Sequence, residues 1–390
     1  MRQPSRRTLL RTAGSLLIAG SSASVLHACS GGAAQALAAA PTPPGGALLG
    51  GTIDPATYMD TLASRYLASA QAVSVAMYVS GTELYRSYAL GKTSTAYDDT
   101  TVYGIGSNTK VFTATLLAAQ CTGTAPARTL NDAAAQYLPA SVEQQGTAIK
   151  NVTLGELATH TSSFPDFISI EKDDTLFSGG PPPSDQTQWW ISWDNSATTG
   201  NKCSGQQPGT CWNYSDWAFV TLGFAVADSN SNPDSTYPKL LSEVITGPLA
   251  LSSTGADVAV SVPGYGKDGS QLPTPADLKS NARDLLTFLK ANLGVLKGVS
   301  SALQTALNFT QQVHWDGAKY GDAGNTMGLA WQLPPTPNKP QLVWKNGEAG
   351  GYTSFLGMIP SKQLAIAILT NSAAANPTSA GTRFLRKLSG

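Results

Sequence analysis

The sequence predicts an α+β fold: one antiparallel sheet made from the N- and C-terminal segments, flanked by helices, with a mainly helical lobe inserted between them. Three observations predict it. Two strand-like segments joined as a hairpin stand near the start of the chain. Apolar residues at helical spacing dominate from Ser107 to about residue 310. Three further strand-like segments then return near the end, and strands split in this way pair most simply in a single sheet with the helices packed against it.

The elements follow in order. DPATYMDTLASRYLASA (54–70) reads as an amphipathic helix opened by Asp54 and Pro55. SVAMYVS (74–80) and ELYRSYALG (83–91) read as strands turning at Gly81-Thr82. A helix is expected to start near Ser107. NDAAAQYL, TLGELAT, DWAFVTLGFAVAD, PKLLSEVI and NARDLLTFLKANL continue the helical pattern, the last with Asn281 as N-cap and Asp284 three residues on. QLVWKNG (341–347), YTSFLGMIP (352–360) and QLAIAILTN (363–371) read as strands, and TSAGTRFLRKL as a closing helix. Residues 165–213 are Pro/Gly-rich and aromatic and read as a surface excursion, with Trp189 and Trp190 packing on the lobe.

The first segment, MRQPSRRTLLRTAGSLLIAGSSASVLHAC, has a basic head with Arg6-Arg7, then a stretch too interrupted to span a membrane permanently. It reads as an export signal of twin-arginine character over 1–28, followed by a flexible tether over 29–52. Leu26-His27-Ala28-Cys29 resembles a lipobox, which would leave Cys29 lipidated. Cleavage after Ala36-Leu37-Ala38 is the rival and gives a soluble protein. Either product is exported and works outside the cytoplasm, in the periplasm or on its membrane. Residues 53–390 then form a single domain, with 53–106 and 320–390 as its α/β part and 107–319 as the helical lobe. A monomer is expected.

The full chain carries 25 basic and 25 acidic residues. Residues 1–28 hold four arginines and no acid, so the remainder has 21 basic against 25 acidic groups, a net charge of −4. With 13% charged residues and no basic block, nucleic-acid binding is excluded. No CxxC or HExxH occurs, so no metal is expected, and no organic cofactor. Cys203 and Cys211 bracket CSGQQPGTC, and in an oxidising compartment they are expected to form a disulfide. Cys121 reads as an inert buried thiol.

The chemistry starts at GIGSNTKVFTATLLAA (104–119). Ser107 and Lys110 stand one helical turn apart behind a Gly-Ile-Gly, beside the positive end of a helix dipole. Beyond the export signal only His160 and His314 remain, and no Gly-x-Ser-x-Gly is present. A histidine-activated serine hydrolase is therefore disfavoured, and a lysine is the available partner for Ser107. Tyr214-Ser215-Asp216 opens an apolar helix, and Lys345-Asn346-Gly347 ends a strand.

The ordered series Ser-x-x-Lys, Tyr-x-x, Lys-x-Gly resembles the three active-site motifs of penicillin-recognising serine hydrolases. In detail it resembles the class C β-lactamases and the D-alanyl-D-alanine carboxypeptidases. LATHTSSFP (157–165), PLALSSTG (248–255), MGLAWQ (327–332) and Asn376-Pro377 in TNSAAANP look like further family landmarks, and the resemblance covers about 55–388. It implies the β-lactamase/transpeptidase-like fold and a Ser107 nucleophile that forms an acyl-enzyme. It also implies that Lys110 shuttles the proton and that Tyr214, flanked by Lys110 and Lys345, acts as a base favoured in its phenolate form. Lys345 would attract a substrate carboxylate, with Asn346, Gly347 and Asn376 near the substrate. The N–H groups of Ser107 and Glu348 would form an oxyanion hole.

Two departures stand out. The family commonly has Asn at Asp216, and Thr or Ser at Asn346. An ionised Asp216 only accepts hydrogen bonds and is expected to hold Lys110 protonated. With Glu348 as a second acid, the two lysines are offset, which weakens attraction for anionic substrates. The expected function is a serine hydrolase acting through an acyl-enzyme on D-alanyl-D-alanine-type peptides of peptidoglycan, on β-lactams, or on both. Two other readings remain: an esterase of the same fold acting on small esters, and a non-catalytic binder of cell-wall fragments.

Overall fold

The computed structural model describes residues 53–123, 128–166, 175–196, 201–228, 234–274 and 276–390. The export signal, the tether and Cys29 lie outside the described residues. The sheet is built from β1 (Val73–Val79), β2 (Thr82–Ala89), β3 (Lys92–Thr93), β4 (Val343–Ala349), β5 (Tyr352–Ile359) and β6 (Leu364–Thr370). Their order is β4-β5-β6-β1-β2-β3, and every neighbouring pair is antiparallel. The two ends of the chain meet at β1 and β6, where Val75 faces Ile368 and Ala76 faces Ala367. The hairpin between β1 and β2 turns one residue earlier than the sequence suggests. Val79 pairs with Thr82, and Ser80 and Gly81 take the turn at positive φ, as a two-residue hairpin turn requires.

Strand alternation divides large from small. Val75, Met77, Ile366 and Ile368 point to one face, where helices α1 (Pro55–Tyr66) and α6 (Pro377–Leu388) cover them with Met59, Leu62 and Phe384. Fully burying each such side chain is worth ~1.5–3 kcal/mol. Ala76, Ala365 and Ala367 point to the other face, and these small residues let helix α4 (Ala282–Asn292) pack on β1 and β6. Asn281 caps α4 as expected, accepting from Asp284 N–H at 2.8 Å.

Two lobe helices carry the site. Helix α2 (Thr109–Thr122) is buried from Thr109 to Ala118 and passes through the lobe core beside α5 (Ser301–Thr310). Helix α3 (Asp216–Ala227) is almost wholly apolar and buried from Trp217 onward. Residues 102–104 pair with 279–281, a short ladder that stitches the start of the serine segment to the lobe. Within the excursion at 165–213, residues Ser184–Ser192 form a helix whose Trp190 is fully buried and donates to Thr221 Oγ1 at 2.9 Å. Cys203 and Cys211 are joined by a disulfide. Among the described residues no helix is long and apolar enough to cross a membrane.

Candidate active site

Ser107 sits on a single 3₁₀ turn, Gly106–Asn108, and the α-helix proper begins at Thr109. The sequence places the serine inside the helix; the structure places it on the tight turn just before. The three-residue spacing still brings the side chains together, and Lys110 Nζ donates to Ser107 Oγ at 3.1 Å. This turn lies directly on strand β4. Gly106 has φ 52°, and a Cβ on it would lie 2.7 Å from the Glu348 nitrogen. A Cβ on Gly347 would lie 2.1 Å from the Ile105 oxygen. Only two bare backbones fit this close. Ser354 on β5 fastens the join: its Oγ donates to Ile105 O at 2.8 Å and accepts from Asn108 Nδ2 at 2.8 Å.

The second segment is fixed around Ser215, the N-cap of α3. Its Oγ accepts from Ala218 N–H at 2.9 Å and donates to Pro165 O at 2.6 Å. Its N–H donates to His160 Nδ1 at 3.1 Å, and Asn213 N–H donates to His160 O at 2.9 Å. The stretch 157–165 therefore wraps the Tyr214 segment and aims the phenol at the serine. Tyr214 Oη and Ser107 Oγ are 2.5 Å apart. Tyr214 O–H donates to Asp216 Oδ1 at 3.1 Å, and Lys110 Nζ donates to the same Oδ1 at 2.5 Å. His160 is buried against the Tyr214 ring, with centroids 4.5 Å apart, and supports the phenol.

Burial and charge set the protonation states. Burial alone pulls the Lys110 ammonium down, but the Asp216 carboxylate, then Tyr214 and Asp277, hold it above the ordinary lysine value. Burial and then Asp216 push the Tyr214 hydroxyl well above its ordinary value, with Lys110 and the bond to Ser107 opposing only in part. The phenolate is thus not favoured, contrary to the sequence reading, because burial and then the Asp216 carboxylate outweigh the opposing Lys110 charge. Lys345 is pulled down to about 7 by burial and by Lys110, with Asp216 opposing. Burial and the two lysines drive His160 far below its ordinary value, so it is neutral.

The remaining candidates fall unevenly. Lys345 is buried, its Nζ 5.2 Å from the Tyr214 ring centroid, and it donates to Asn346 O at 2.7 Å. Asn346 is half-buried beside it on β4. Glu348 is exposed at the strand end. The acid packed against Asp216 is one the sequence reading missed: Asp166 accepts from Asp216 N–H through its carbonyl at 3.0 Å and through Oδ1 at 3.3 Å. Burial and then Asp216 push Asp166 up to about 6. Asn376 caps α6, accepting from Ser379 N–H at 2.9 Å, while its own N–H donates to Tyr66 O. Its contacts run to the outer helices and not to the Ser107 cluster. Among the described residues no group of three or more His, Cys, Asp or Glu is placed to hold a metal.

A serine hydroxyl held between an amine and a phenol, with the neighbouring imidazole neutral and buried behind the phenol, fits a serine hydrolase. The chain belongs to the beta-lactamase family: the Beta-lactamase family description matches residues 59–389. A "Beta-lactamase" from Providencia stuartii is 26% identical over 342 residues, covering 77% of this chain and 82% of that protein. The "D-alanyl-D-alanine-carboxypeptidase/endopeptidase AmpH" of Escherichia coli K12 is 26% identical over 269 residues, covering 62% and 64%. A solved class C beta-lactamase superposes with TM-score 0.69 at 18% identity over 87% of this chain and 99% of its own. The D-alanine carboxypeptidase AmpC from Burkholderia cenocepacia superposes with TM-score 0.65 at 22% identity, covering 85% and 99%. At these identities the solved structures establish the fold.

Proposed function

We propose that this serine hydrolase opens D-alanyl-D-alanine-type peptides and β-lactams through an acyl-enzyme on Ser107. The observation that carries the reading is the meeting of Ser107 Oγ with Tyr214 Oη at 2.5 Å and Lys110 Nζ at 3.1 Å. In this reading Ser107 attacks the carbonyl, and Tyr214 and Lys110 handle its proton. Lys345 supplies charge for a substrate carboxylate, with Asn346 and Gly347 alongside and Asp216 facing the substrate amide N–H. The packing of Gly106 on the Glu348 backbone supports an oxyanion hole formed by the N–H groups of Ser107 and Glu348. The names of the relatives support the substrate class. One catalytic domain over 53–390, export by residues 1–28 and a lipid anchor at Cys29 complete the proposal; the mass of the mature N-terminus tests the anchor.

A fluorescent penicillin is expected to label wild type and not Ser107→Ala. Equal labelling of both removes the reading. Side-by-side turnover of nitrocefin, a D-Ala-D-Ala peptide and p-nitrophenyl acetate ranks the substrate classes, and hydrolysis of the ester alone overturns the peptide and β-lactam assignment.

A further inference from the structure

The hydrogen bonds around Ser107 have only one consistent set of directions. The Asp216 carboxylate, ion-paired with Lys110 at 2.5 Å, has no proton to give and can only accept. Tyr214 must therefore donate its hydroxyl proton to Asp216 Oδ1. That leaves the Tyr214 oxygen to accept, and the donor facing it at 2.5 Å is Ser107. Lys110, held as the ammonium by Asp216 and donating to both Ser107 Oγ and Asp216 Oδ1, has no lone pair to receive a proton. The path out of the serine hydroxyl runs through the phenol and ends at a carboxylate.

We propose that Asp216 is the terminal acceptor of the Ser107 proton, with the Tyr214 hydroxyl as relay. The inference rests on the hydrolase reading above and deepens it. As the Ser107 Oγ–C bond forms, the Oγ–H bond breaks and its proton moves to the Tyr214 oxygen. The Tyr214 proton moves at the same time to Asp216 Oδ1, and the carbonyl π pair becomes the oxyanion. On collapse the C–N bond breaks, and the proton returns through Tyr214 to the leaving nitrogen. The Asn common at this position in the family cannot end such a chain, because an amide oxygen does not hold a proton at working pH. The acid expected from the sequence to hold Lys110 protonated becomes the base of the site.

The groups facing Asp216 fit this role. The ion pair with Lys110 of α2 presents Asp216 as an acceptor, neutral His160 lies behind the phenol, and Tyr214 supplies the relay. Asp166 holds the Asp216 N–H and sets a second acid beside it. After burial, like-charge repulsion from Asp216 raises Asp166. Asp166 is a positioning residue in this scheme, since it reaches the reacting atoms only through Asp216.

The test is the rate of acylation by a fluorescent penicillin, followed by rapid quench from acid to alkaline pH in wild type and Asp216→Asn. The variant is expected to melt at a lower temperature, since it leaves the buried Lys110 without its carboxylate. At a temperature where both proteins are folded it should acylate about 10²–10⁴-fold more slowly, the usual weight of a positioned proton acceptor. It should also lose the fall in rate that wild type shows on acidification. An Asp216→Asn enzyme that acylates as fast as wild type or faster, or that keeps the acid limb, overturns the inference. Wild type in mixtures of light and heavy water supplies a second arm that needs no variant. Two protons in flight give a curved dependence on deuterium content, and a linear one overturns the relay. A wild type that forms no acyl-enzyme removes the hydrolase reading and this one with it. Acylation by wild type with an unchanged variant removes this one alone.

Discussion

Gly347 stands so close to the serine turn that a β-carbon on it would lie 2.1 Å from the carbonyl oxygen of Ile105. The strand and the turn are therefore held in register by the absence of a side chain. Gly347→Ala is expected to cost ~1–3 kcal/mol by overpacking and to push β4 off the serine. Thermal melting and the acylation rate should fall together; an alanine variant with both unchanged would show that the close approach is dispensable.

Ser354 makes the complementary point. Its hydroxyl satisfies Ile105 O and Asn108 Nδ2 inside a buried join. Ser354→Ala leaves Asn108 Nδ2 without that partner, at about 1–3 kcal/mol for a buried group left unsatisfied, and Ile105 O with the Asn108 N–H at 3.2 Å. Loss of acylation rate beyond the loss of stability is expected, because the Ser107 N–H proposed for the oxyanion hole rides on that turn. A variant destabilised but fully active argues against a positioning role.

The depressed Lys345 gives a pH signature. Below about 7 the ammonium is charged and attracts a carboxylate; above that value the attraction fades. KM for an anionic β-lactam should therefore rise through neutral pH, while KM for its methyl ester should stay flat. Parallel profiles for acid and ester would remove Lys345 from carboxylate recognition.

His160 links protonation to stability. Its native value lies well below the ordinary histidine value, so on acidification the unfolded chain gains a proton that the native chain refuses. Stability from this group is complete above the unfolded value near 6.5 and is lost as pH falls below it. His160 has φ 61°, a conformation that asparagine tolerates, and an asparagine oxygen can still accept from Ser215 N–H. His160→Asn should flatten the acid decline of urea midpoints between neutral and mildly acidic pH. An unchanged decline places the acid sensitivity elsewhere.

The Cys203–Cys211 link closes a loop with separation 8 just before Tyr214. Replacing both cysteines by alanine should lower stability by ~2–3 kcal/mol on the loop-entropy account. Reducing agent should reproduce the effect in wild type and do nothing to the double variant.

Much of this fold was legible because its long elements have strong periods. β1 and β6 alternate large and small residues, α1 and α4 carry Asp54 and Asn281 as caps, and each was readable from spacing. The ladder of 102–104 with 279–281 was not, since three residues carry no period and their partner lies far along the chain. At the site, the motifs located Ser107, Lys110, Tyr214 and Lys345, and the Asp216 charge that holds Lys110 protonated, but not the raised Tyr214 hydroxyl or the lowered Lys345. Asp166 and Ser354 lie in no motif and acquire a role only when the chain brings them to Asp216 and Ile105. Tyr214 was misjudged because residue types carry no burial, and burial is the largest influence on its proton.

The central pair of strands also constrains how the molecule is made. Ala72 N–H donates to Asn371 Oδ1, 299 positions away, and β1 finds its partner β6 only after the long segment between them has been synthesised. Until then the apolar edge of the N-terminal hairpin has no mate. Such long-range pairing closes slowly, so the unmated strand edge stays exposed for longer than in a fold built from local contacts.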